Sequence, residues 1–286
     1  MRLSLLLCAV WLAWPARAAV NDILPADYFP PAASSLALYA YDRNLDGPYA
    51  NGEPLLDGKI DSQALALRAV WATEWQGYRV APVVLLPWVR SEAAAPLDAI
   101  LGRRAEGMGD ARIGVTIWPL ADKERARYLG VTGMAILPTG DYDSRQVLNS
   151  GENRWRFVLV GGFQQEIARD LLAEVIPEIA WYGENDDYRN GRRLQQDSSR
   201  ALTAYLRYRL TPAWHVHVGG QINRGGATRI DGIDQHNPPD NTRTMLGVTW
   251  IGPAGQQAIL RFGKDTEIEN GFRTRREILL RFSQSY

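Results

Sequence analysis

Hydrophobic and polar residues alternate along most of this chain with a period of two. Between Gln63 and Trp75 the odd positions carry leucine, alanine, tryptophan and threonine, whereas Arg68 and Glu74 fall on even positions. Successive side chains of a β-strand point to opposite faces, so the pattern predicts strands with one apolar and one polar face. We predict about twelve strands, at residues 34–43, 63–75, 77–89, 109–118, 127–137, 153–163, 171–182, 198–210, 214–223, 241–251, 256–263 and 272–282.

The connections between these strands alternate between long and short. Long connections are predicted at 44–62, 90–108, 138–152, 183–197 and 224–240, and short ones at Gln76, 119–126, 164–170, 211–213 and 252–255. A soluble β-sandwich also has alternating strands, but its architecture does not require such a parity of connections. Long outer loops, short periplasmic turns and an even number of strands of about 9–11 residues are typical of outer-membrane barrels. The sequence therefore predicts an all-β fold, a closed antiparallel transmembrane β-barrel of about twelve strands.

Tryptophan is placed as such a barrel requires. Eight tryptophans follow residue 18, most of them at or next to a predicted boundary between strand and turn: Trp71, Trp75, Trp88, Trp118, Trp155, Trp181, Trp214 and Trp250. Indole is stable where the apolar core of a membrane meets the headgroups, so we expect an aromatic girdle on the outside of the barrel.

Composition excludes several other classes of protein. The 286 residues are 46% hydrophobic, too many for a disordered chain. The 22% of charged residues excludes a bundle of transmembrane helices, each of which needs about 20 nearly uncharged residues in a row. The 32 basic residues balance 32 acidic ones, so no nucleic-acid partner is expected.

The first residues have the layout of a secretory signal peptide. Arg2 is followed by an apolar run from Leu3 to Trp14 and by the small-x-small sequence Ala16-Arg17-Ala18. We predict cleavage after Ala18, a periplasmic N-terminal segment at 19–33 and a barrel at 34–286. The mature chain would then hold 30 basic and 32 acidic residues and would lose Cys8, the only cysteine. It could form neither disulfides nor thiolate metal sites.

The polar faces of the strands predict the lining of a lumen. Twelve strands enclose more space than the eight that side chains can fill, but less than a sixteen-stranded porin. The predicted pore-lining residues are Arg68, Glu74, Arg112, Glu174, Glu178, Tyr205, Arg207, Arg209, His215, Arg243, Arg261 and Arg281. Mixed charge can form a salt-bridged plug as readily as an open pore, and the sequence leaves both open. It also leaves open whether residues 19–33 plug the lumen or hang in the periplasm.

Two stretches resemble the signature of a known family. Leu-Pro-Thr-Gly-Asp-Tyr-Asp at 137–143 and Asn-Ser-Gly-Glu-Asn-Arg-Trp at 149–155 are similar to motifs of the outer-membrane proteins labelled meta-pathway phenol-degradation proteins. The resemblance implies a β-barrel transporter associated with the uptake of aromatic or other hydrophobic compounds, and no catalytic residue carries over. The motif residues are Pro138, Thr139, Gly140, Asp141, Tyr142, Asp143, Gly151, Asn153, Arg154 and Trp155.

A structural role for this loop motif is favoured over a ligand site. Proline cannot donate to a β-ladder and glycine permits the turn that follows. Aspartate and asparagine side chains can bond to backbone donors and order the loop.

Few residues indicate other chemistry. His215 and His217 would share one face of a strand as half of a metal site, but no second cluster completes it, so no metal is predicted. The acidic stretches at 184–187 and 265–269 could bind divalent cations that bridge lipopolysaccharide, although solvated loop charge is the favoured interpretation. No cofactor is predicted, and the motifs of serine hydrolases, zinc proteases and P-loop enzymes are missing from the sequence.

The favoured function is a passive channel for small, aromatic or hydrophobic compounds, and not an enzyme. A lipid-modifying enzyme of the outer membrane and a plugged structural barrel are the alternatives. The expected partners are outer-membrane lipid and lipopolysaccharide, a small-molecule solute and the barrel-assembly machinery.

Overall fold

The computed structural model of the protein describes residues 24–286, and the signal peptide predicted at 1–18 lies outside them. Nearly all regular structure is β. The elements are β1 (Ser35–Ala50), β2 (Glu53–Pro54), β3 (Lys59–Val70), β4 (Thr73–Trp75), β5 (Tyr78–Ala93), α1 (Asp98–Leu101), β6 (Arg104–Met108), β7 (Arg112–Asp122), β8 (Arg127–Ile136), β9 (Arg156–Ala168), β10 (Leu171–Tyr182), β11 (Asn185–Tyr188), β12 (Arg192–Gln196), β13 (Ser199–Arg209), β14 (Trp214–Gly225), β15 (Thr228–Ile230), β16 (Ile233–Asp234), β17 (Asp240–Ile251), β18 (Gln256–Ile268) and β19 (Gly271–Ser285).

Within residues 24–286, twelve long strands form one closed antiparallel barrel. They pair in chain order as β1, β3, β5, β7, β8, β9, β10, β13, β14, β17, β18 and β19, and β19 pairs with β1 to close the ring. Hydrocarbon requires this closure, because an open sheet would leave two rows of backbone N–H and C=O groups without partners. The predicted twelve-stranded closed barrel is confirmed.

Each strand presents its apolar side chains to the outside. On β13, Leu202 and Leu206 are exposed, whereas Thr203, Tyr205 and Arg207 at the alternate positions are buried. The same alternation on the other strands covers the barrel with leucine, valine, isoleucine and phenylalanine. Exposed apolar side chains on this scale would be unfavourable in water and are stabilised by lipid, while the polar set is enclosed.

The two ends of the barrel differ. The short connections, 71–77, 123–126, 169–170, 210–213 and 252–255, lie at the end where β1 begins and β19 finishes, which is the periplasmic end of such barrels. The long loops, 51–58, 94–111, 137–155, 183–198 and 226–239, lie at the other end and carry α1 and the small strands, four of which form a separate sheet. No helix within the described residues is long and apolar enough to cross a membrane.

The strict alternation of long and short connections fails at one place. Only residues 269–270 connect β18 to β19 at the outer end. Both strands project past the apolar band, as does β1, which ends at Ala50 instead of the predicted residue 43. Above the hydrocarbon both faces of a strand are wet, so the ladder continues after the hydrophobic alternation has stopped.

Trp118 departs from the predicted girdle. Trp71, Trp75, Trp155 and Trp214 are exposed on the barrel surface, but the side chain of Trp118 is buried in the lumen. On β7 it follows the inward positions of Arg112 and Thr116, so the parity of the strand decides its direction.

The outward face gives a first testable prediction. Leu206 lies midway along β13 and pairs with Val218 of β14, and both side chains are exposed. Arginine at position 206 should destabilise the barrel by about 2–4 kcal/mol, the cost of a cation near the bilayer midplane. Urea unfolding in lipid vesicles measures this loss. Leu206→Ala is the control and should cost less, so an equal loss in the two variants would contradict an outward, lipid-facing Leu206.

Candidate functional site

The lumen is the candidate site, because charged side chains from strands all around the barrel meet there. Eleven predicted pore-lining residues lie on the inward face of their strands, buried or half-buried: Arg68, Arg112, Glu174, Glu178, Tyr205, Arg207, Arg209, His215, Arg243, Arg261 and Arg281. Glu74 lies elsewhere. It belongs to β4, beyond the last β1–β3 pair Ser35↔Val70, and its side chain is 66% exposed beside Arg79. The predicted strand 63–75 is interrupted after Val70, which places Glu74 in a hairpin below the closed ring.

The N-terminal segment, defined as residues 24–33, enters the lumen from the periplasmic end. Leu24 is fully buried in an apolar cluster with Tyr39, Ala66 and Leu279 on the barrel wall. Tyr28 is buried in a second cluster that includes Val160. Of the two placements that the sequence leaves open, the described part of the segment therefore occupies the lumen.

Polar contacts also hold the N-terminal segment against the wall. The backbone N–H of Ala26 donates to Oε2 of Glu174 at 2.8 Å. The hydroxyl of Tyr28 lies 3.1 Å from Oγ1 of Thr132, and Nε1–H of Trp118 donates to the Tyr28 carbonyl oxygen at 2.9 Å. Three strands on one side of the barrel, β7, β8 and β10, thus hold residues 26–28 of the segment through backbone and side-chain hydrogen bonds.

Asp27 connects the segment to the opposite wall. Its Oδ1 lies 2.5 Å from Nη1 of Arg281, and its Oδ2 lies 3.6 Å from Nη1 of Arg68. Arg68 also donates to the hydroxyl of Tyr39 at 3.1 Å. One carboxylate therefore joins β3, β19 and the N-terminal segment.

Two cavities lie on either side of this contact. The lower cavity, about 870 Å³, opens toward the periplasmic turns and is bordered by Asp27, Tyr39, Arg68 and Arg281. The upper cavity, about 80 Å³, is bordered by Asp27, Tyr39 and Arg68 as well and reaches Arg112 and Glu178. The N-terminal segment therefore interrupts a space that would otherwise follow the barrel axis.

Higher in the lumen, the carboxylate of Glu277 forms ion pairs with three arginines. Its carboxylate lies 2.5 Å from Nε of Arg43, 2.6 Å from Nη2 of Arg261 and 3.3 Å from Nη1 of Arg243. Arg243 also donates to Oδ1 of Asp265 at 2.8 Å. Glu277 is fully buried. These charge-assisted hydrogen bonds join four neighbouring strands, β1, β19, β18 and β17.

The two histidines face the lumen. Nδ1 of His215 lies 3.2 Å from Nη1 of Arg207, whose Nε donates to Oε1 of Glu174 at 3.0 Å. His217 is buried edge-on against the ring of Tyr205, with 5.9 Å between centroids. Within residues 24–286, no three histidine, cysteine, aspartate or glutamate side chains are grouped so that they could hold a metal ion.

The acidic stretches have different surroundings. Asp265 is part of β18 and points inward to Arg243, so the predicted acidic loop at 265–269 is wrong for this residue. Glu184 remains in a loop, where it lies 3.4 Å from Nε of Arg193.

The loop motif is packed by close backbone contact. A Cβ atom on Gly140 would lie 2.8 Å from Cα of Gly151, so only glycine allows the two stretches to touch. Oδ1 of Asp110 accepts the N–H of Gly140 at 2.9 Å, and its Oδ2 accepts the N–H of Glu152 at 2.8 Å. Asn149 bonds both backbone groups of Asp143.

The remaining motif residues extend this network. Asn185 of β11 accepts a bond from Asn153 at 3.2 Å and donates to the hydroxyl of Tyr142 at 3.0 Å. The motif therefore fixes the loop over the outer mouth of the barrel.

The motif also carries a buried carboxylate at the mouth. Glu152 lies 2.7 Å from Nη2 of Arg154 and 3.4 Å from Nη1 of Arg156. Burial alone would raise the pKa of Glu152, but the guanidinium groups of Arg156 and Arg154 outweigh it and hold that pKa below its usual value. Burial raises the pKa of Asp110, against the bonds from the backbone of Glu152 and Gly140.

Acid should loosen this loop. A carboxyl group with a lowered pKa in the folded state stabilises the fold above its unfolded pKa of about 4.3, and the contribution is lost as the pH falls through the folded pKa. We expect hydrogen exchange of residues 137–155, corrected for intrinsic rates, to rise as the pH falls below the unfolded pKa of about 4.3 and through the lowered folded pKa of Glu152. Glu152→Gln should already exchange fast at neutral pH and show less pH dependence. An unchanged profile in this variant would contradict the role of Glu152.

Several residues of the site are missing from the sequence-based list. Glu277 shares strand parity with the predicted lumen residue Arg281, so alternation could have found it. Arg43 ends the predicted strand 34–43, in which no lumen residue was predicted, and Asp265 lies beyond the predicted strand 256–263. Asp27 and Tyr28 could not be found in this way, because no alternation extends through 24–33.

Comparison with solved structures gives the fold directly. The COG4313 outer membrane channel from Pseudomonas putida F1 matches 93% of this chain and 100% of its own, with 26% identity and a TM-score of 0.88. The beta domain of the Bordetella autotransporter BrkA matches 89% of this chain and 100% of its own, with 11% identity and a TM-score of 0.56. The translocator domain of NalP from Neisseria meningitidis matches 91% and 90%, with 10% identity and a TM-score of 0.51. No curated protein matches the chain.

The family comparison agrees with the motif resemblance. The family model described as "Putative MetA-pathway of phenol degradation" matches residues 43–276, which include the loop motif and all strands except residues 35–42 of β1 and 277–285 of β19. The chain belongs to this family, and it is a β-barrel of the bacterial outer membrane.

Proposed function

We propose that this protein is a passive outer-membrane channel for small aromatic or hydrophobic compounds. The observation that carries the proposal is the lumen, in which cavities of about 870 and 80 Å³ follow one another and are separated by a short N-terminal segment. Besides the apolar contacts of Leu24 and Tyr28, wall and segment meet through ion pairs and hydrogen bonds that can exchange with water. Such contacts suit a pore that opens better than a solid core.

The comparisons support the same function. The chain is 26% identical to a protein described as an outer membrane channel, over nearly the whole of both chains. The description of its family refers to phenol degradation, which supports an aromatic solute.

An enzyme that modifies membrane lipids is the weaker candidate. It would need its catalytic histidine on the outward face at bilayer height. His215 and His217 are buried inside the barrel, and His236 lies in an outer loop with an exposed side chain. The described histidines are therefore not placed to act on lipid.

We further propose that the barrel contacts outer-membrane lipid and lipopolysaccharide and is inserted by the barrel-assembly machinery. The support for the lipid contact is the exposed apolar band bordered by Trp71, Trp75, Trp155 and Trp214. The closed strand ladder supports assisted insertion, because every edge must be paired before the barrel can rest in hydrocarbon.

Conductance tests the proposed function. The purified chain, reconstituted in planar bilayers, should give discrete current steps, and proteoliposomes should take up a small aromatic compound, benzoate or phenol, faster than protein-free liposomes. Release of fatty acid from phospholipid without any current would replace the channel with the enzyme. If neither current nor lipid hydrolysis is observed, even after deletion of residues 24–33, the result would indicate a structural barrel.

A further inference from the structure

We propose that Arg68 and Arg281 form a binding site for the carboxylate of an organic anion, and that Asp27 occupies this site in the closed channel. The solute class would then be aromatic carboxylates rather than neutral phenols or hydrocarbons. This inference rests on the proposed channel function and specifies its substrate.

The first argument is the geometry around Asp27. Each carboxylate oxygen faces a different guanidinium group, Oδ1 at 2.5 Å from Arg281 and Oδ2 at 3.6 Å from Arg68. Two guanidinium groups that converge on one carboxylate are a common way to bind organic acids. Nε of Arg281 is buried and has no hydrogen-bond partner among the described residues, so the site holds a further donor. The carboxylate of Asp27 thus shows where that of a solute would lie.

Aromatic rings border the same site. The guanidinium carbon of Arg281 lies 5.8 Å from the ring centroid of Tyr39, and Tyr39 is stacked on Tyr41 with 6.2 Å between centroids. A benzene ring attached to a bound carboxylate can lie against these tyrosines and against the guanidinium planes. A carboxylate on an aromatic ring therefore matches both components of the site.

The site lies on the route through the barrel. Asp27, Tyr39 and Arg68 border both the lower cavity of about 870 Å³ and the upper cavity of about 80 Å³. The lower cavity has the size of a typical small-molecule site, about 300–1,000 Å³. A solute carboxylate that replaces Asp27 would also remove the ion pairs that hold the N-terminal segment to β3 and β19, and the apolar contacts of Leu24 with Ala66 and Leu279 would then be left to break as the channel opens. Solute binding and the weakening of this attachment are one exchange reaction, in which one carboxylate leaves the two arginines and another takes its place.

The charge of the whole lumen favours an anion. Among the described residues, the inward face and the segments folded into the lumen and its outer mouth carry ten arginines against eight carboxylates. The arginines are Arg43, Arg68, Arg112, Arg154, Arg156, Arg207, Arg209, Arg243, Arg261 and Arg281, and the acids are Asp27, Asp110, Glu152, Glu166, Glu174, Glu178, Asp265 and Glu277. Ion pairs at the rims of the barrel, such as Arg79 with Glu74, each contribute one positive and one negative charge and so leave the excess of arginine unchanged. Arginine side chains in a narrow pore select anions.

Planar bilayers test the proposal with sodium benzoate and phenol as matched probes. We expect benzoate to raise the time-averaged current of the wild-type channel about tenfold, the factor that corresponds to about 1.4 kcal/mol, and phenol to leave it unchanged. In a potassium chloride gradient the reversal potential should indicate anion preference. Equal responses to benzoate and phenol, or cation preference, would overturn the inference while the channel function stands.

Two variants identify the site. Asp27→Asn keeps the shape of the side chain and removes its charge, so its current should be high without benzoate and should not rise further. Glu166→Gln is the matched control, since it removes a carboxylate paired with Arg209 beside the same cavity and should keep the benzoate response. A benzoate response in Asp27→Asn equal to that of the wild type would overturn the inference. No current in any of these chains would overturn the channel function itself, and the inference with it.

Discussion

Deletion of residues 24–33 is expected to raise the single-channel conductance several-fold. This segment lies between the lower and upper cavities, and its side chains fill apolar clusters on two walls. Without it the lower cavity extends upward to the arginines around Glu277 and Glu152. The expected change exceeds that of Asp27→Asn, because Leu24 and Tyr28 leave together with the carboxylate.

Current steps in planar bilayers measure this effect, and the shift of folded barrels on unheated gels confirms folding. Glu124→Gln is the control, because Glu124 borders the lower cavity but belongs to the turn between β7 and β8. Unchanged conductance in a correctly folded deletion variant would place the barrier higher, at the arginines around Glu277 and Glu152.

The second large effect is expected for Glu277→Gln, which should destabilise the barrel by about 3–5 kcal/mol. The carboxylate of Glu277 is fully buried and contacts Arg43, Arg243 and Arg261. Without the charge of Glu277, the buried guanidinium groups lose their carboxylate partner. An unpaired buried charge costs more free energy than the intact ion pair contributes. Because Glu277 joins β19 to β1, the loss should appear as earlier unfolding in urea at constant lipid composition.

Asp42→Asn provides the matched control. Asp42 of β1 likewise pairs with a β19 residue, Arg276, at 2.8 Å, but the two side chains are 42% and 56% exposed on the outer surface. An exposed pair of this kind contributes about 0–1 kcal/mol. If the two variants lost equal stability, the buried network around Glu277 would not be what holds the closing strands together.

The wall of the barrel could be predicted from the sequence because strand parity is a physical requirement. Lipid accepts Leu202 and Leu206 and rejects Arg207, so a transmembrane strand must alternate throughout its apolar band. The same rule places eleven predicted residues on the inward face and accounts for Trp118. It does not account for Glu74, which has the parity of Arg68 but lies beyond the interruption of the strand after Val70. Trp118 was assigned to the girdle by residue type although its parity is that of Thr116.

Features that depend on tertiary contact could not be predicted in this way. The ion pairs of Asp27 bring together residues separated by 254 positions in the case of Arg281, and no local pattern records them. Strand ends were also missed, because β1 continues to Ala50 after its outward face has become polar. For the loop motif, aspartate, asparagine and glycine predicted an ordered loop, but the contact between Gly140 and Gly151 became visible only in the fold.

The seam between β1 and β19 has a consequence for biogenesis. It pairs residues 35–49 with 271–285, the two extremes of the described chain, whereas every other barrel ladder joins strands that are much closer in sequence. Until β19 has been synthesised and has reached the membrane, one edge of β1 has no partner, although its other edge can pair with β3. The exposed apolar side chains of Leu36 and Leu38 favour aggregation in water during this time. We therefore expect the chain to need protection from aggregation until β19 is available to close the ring. Truncation at either extremity should yield aggregates instead of a smaller ring.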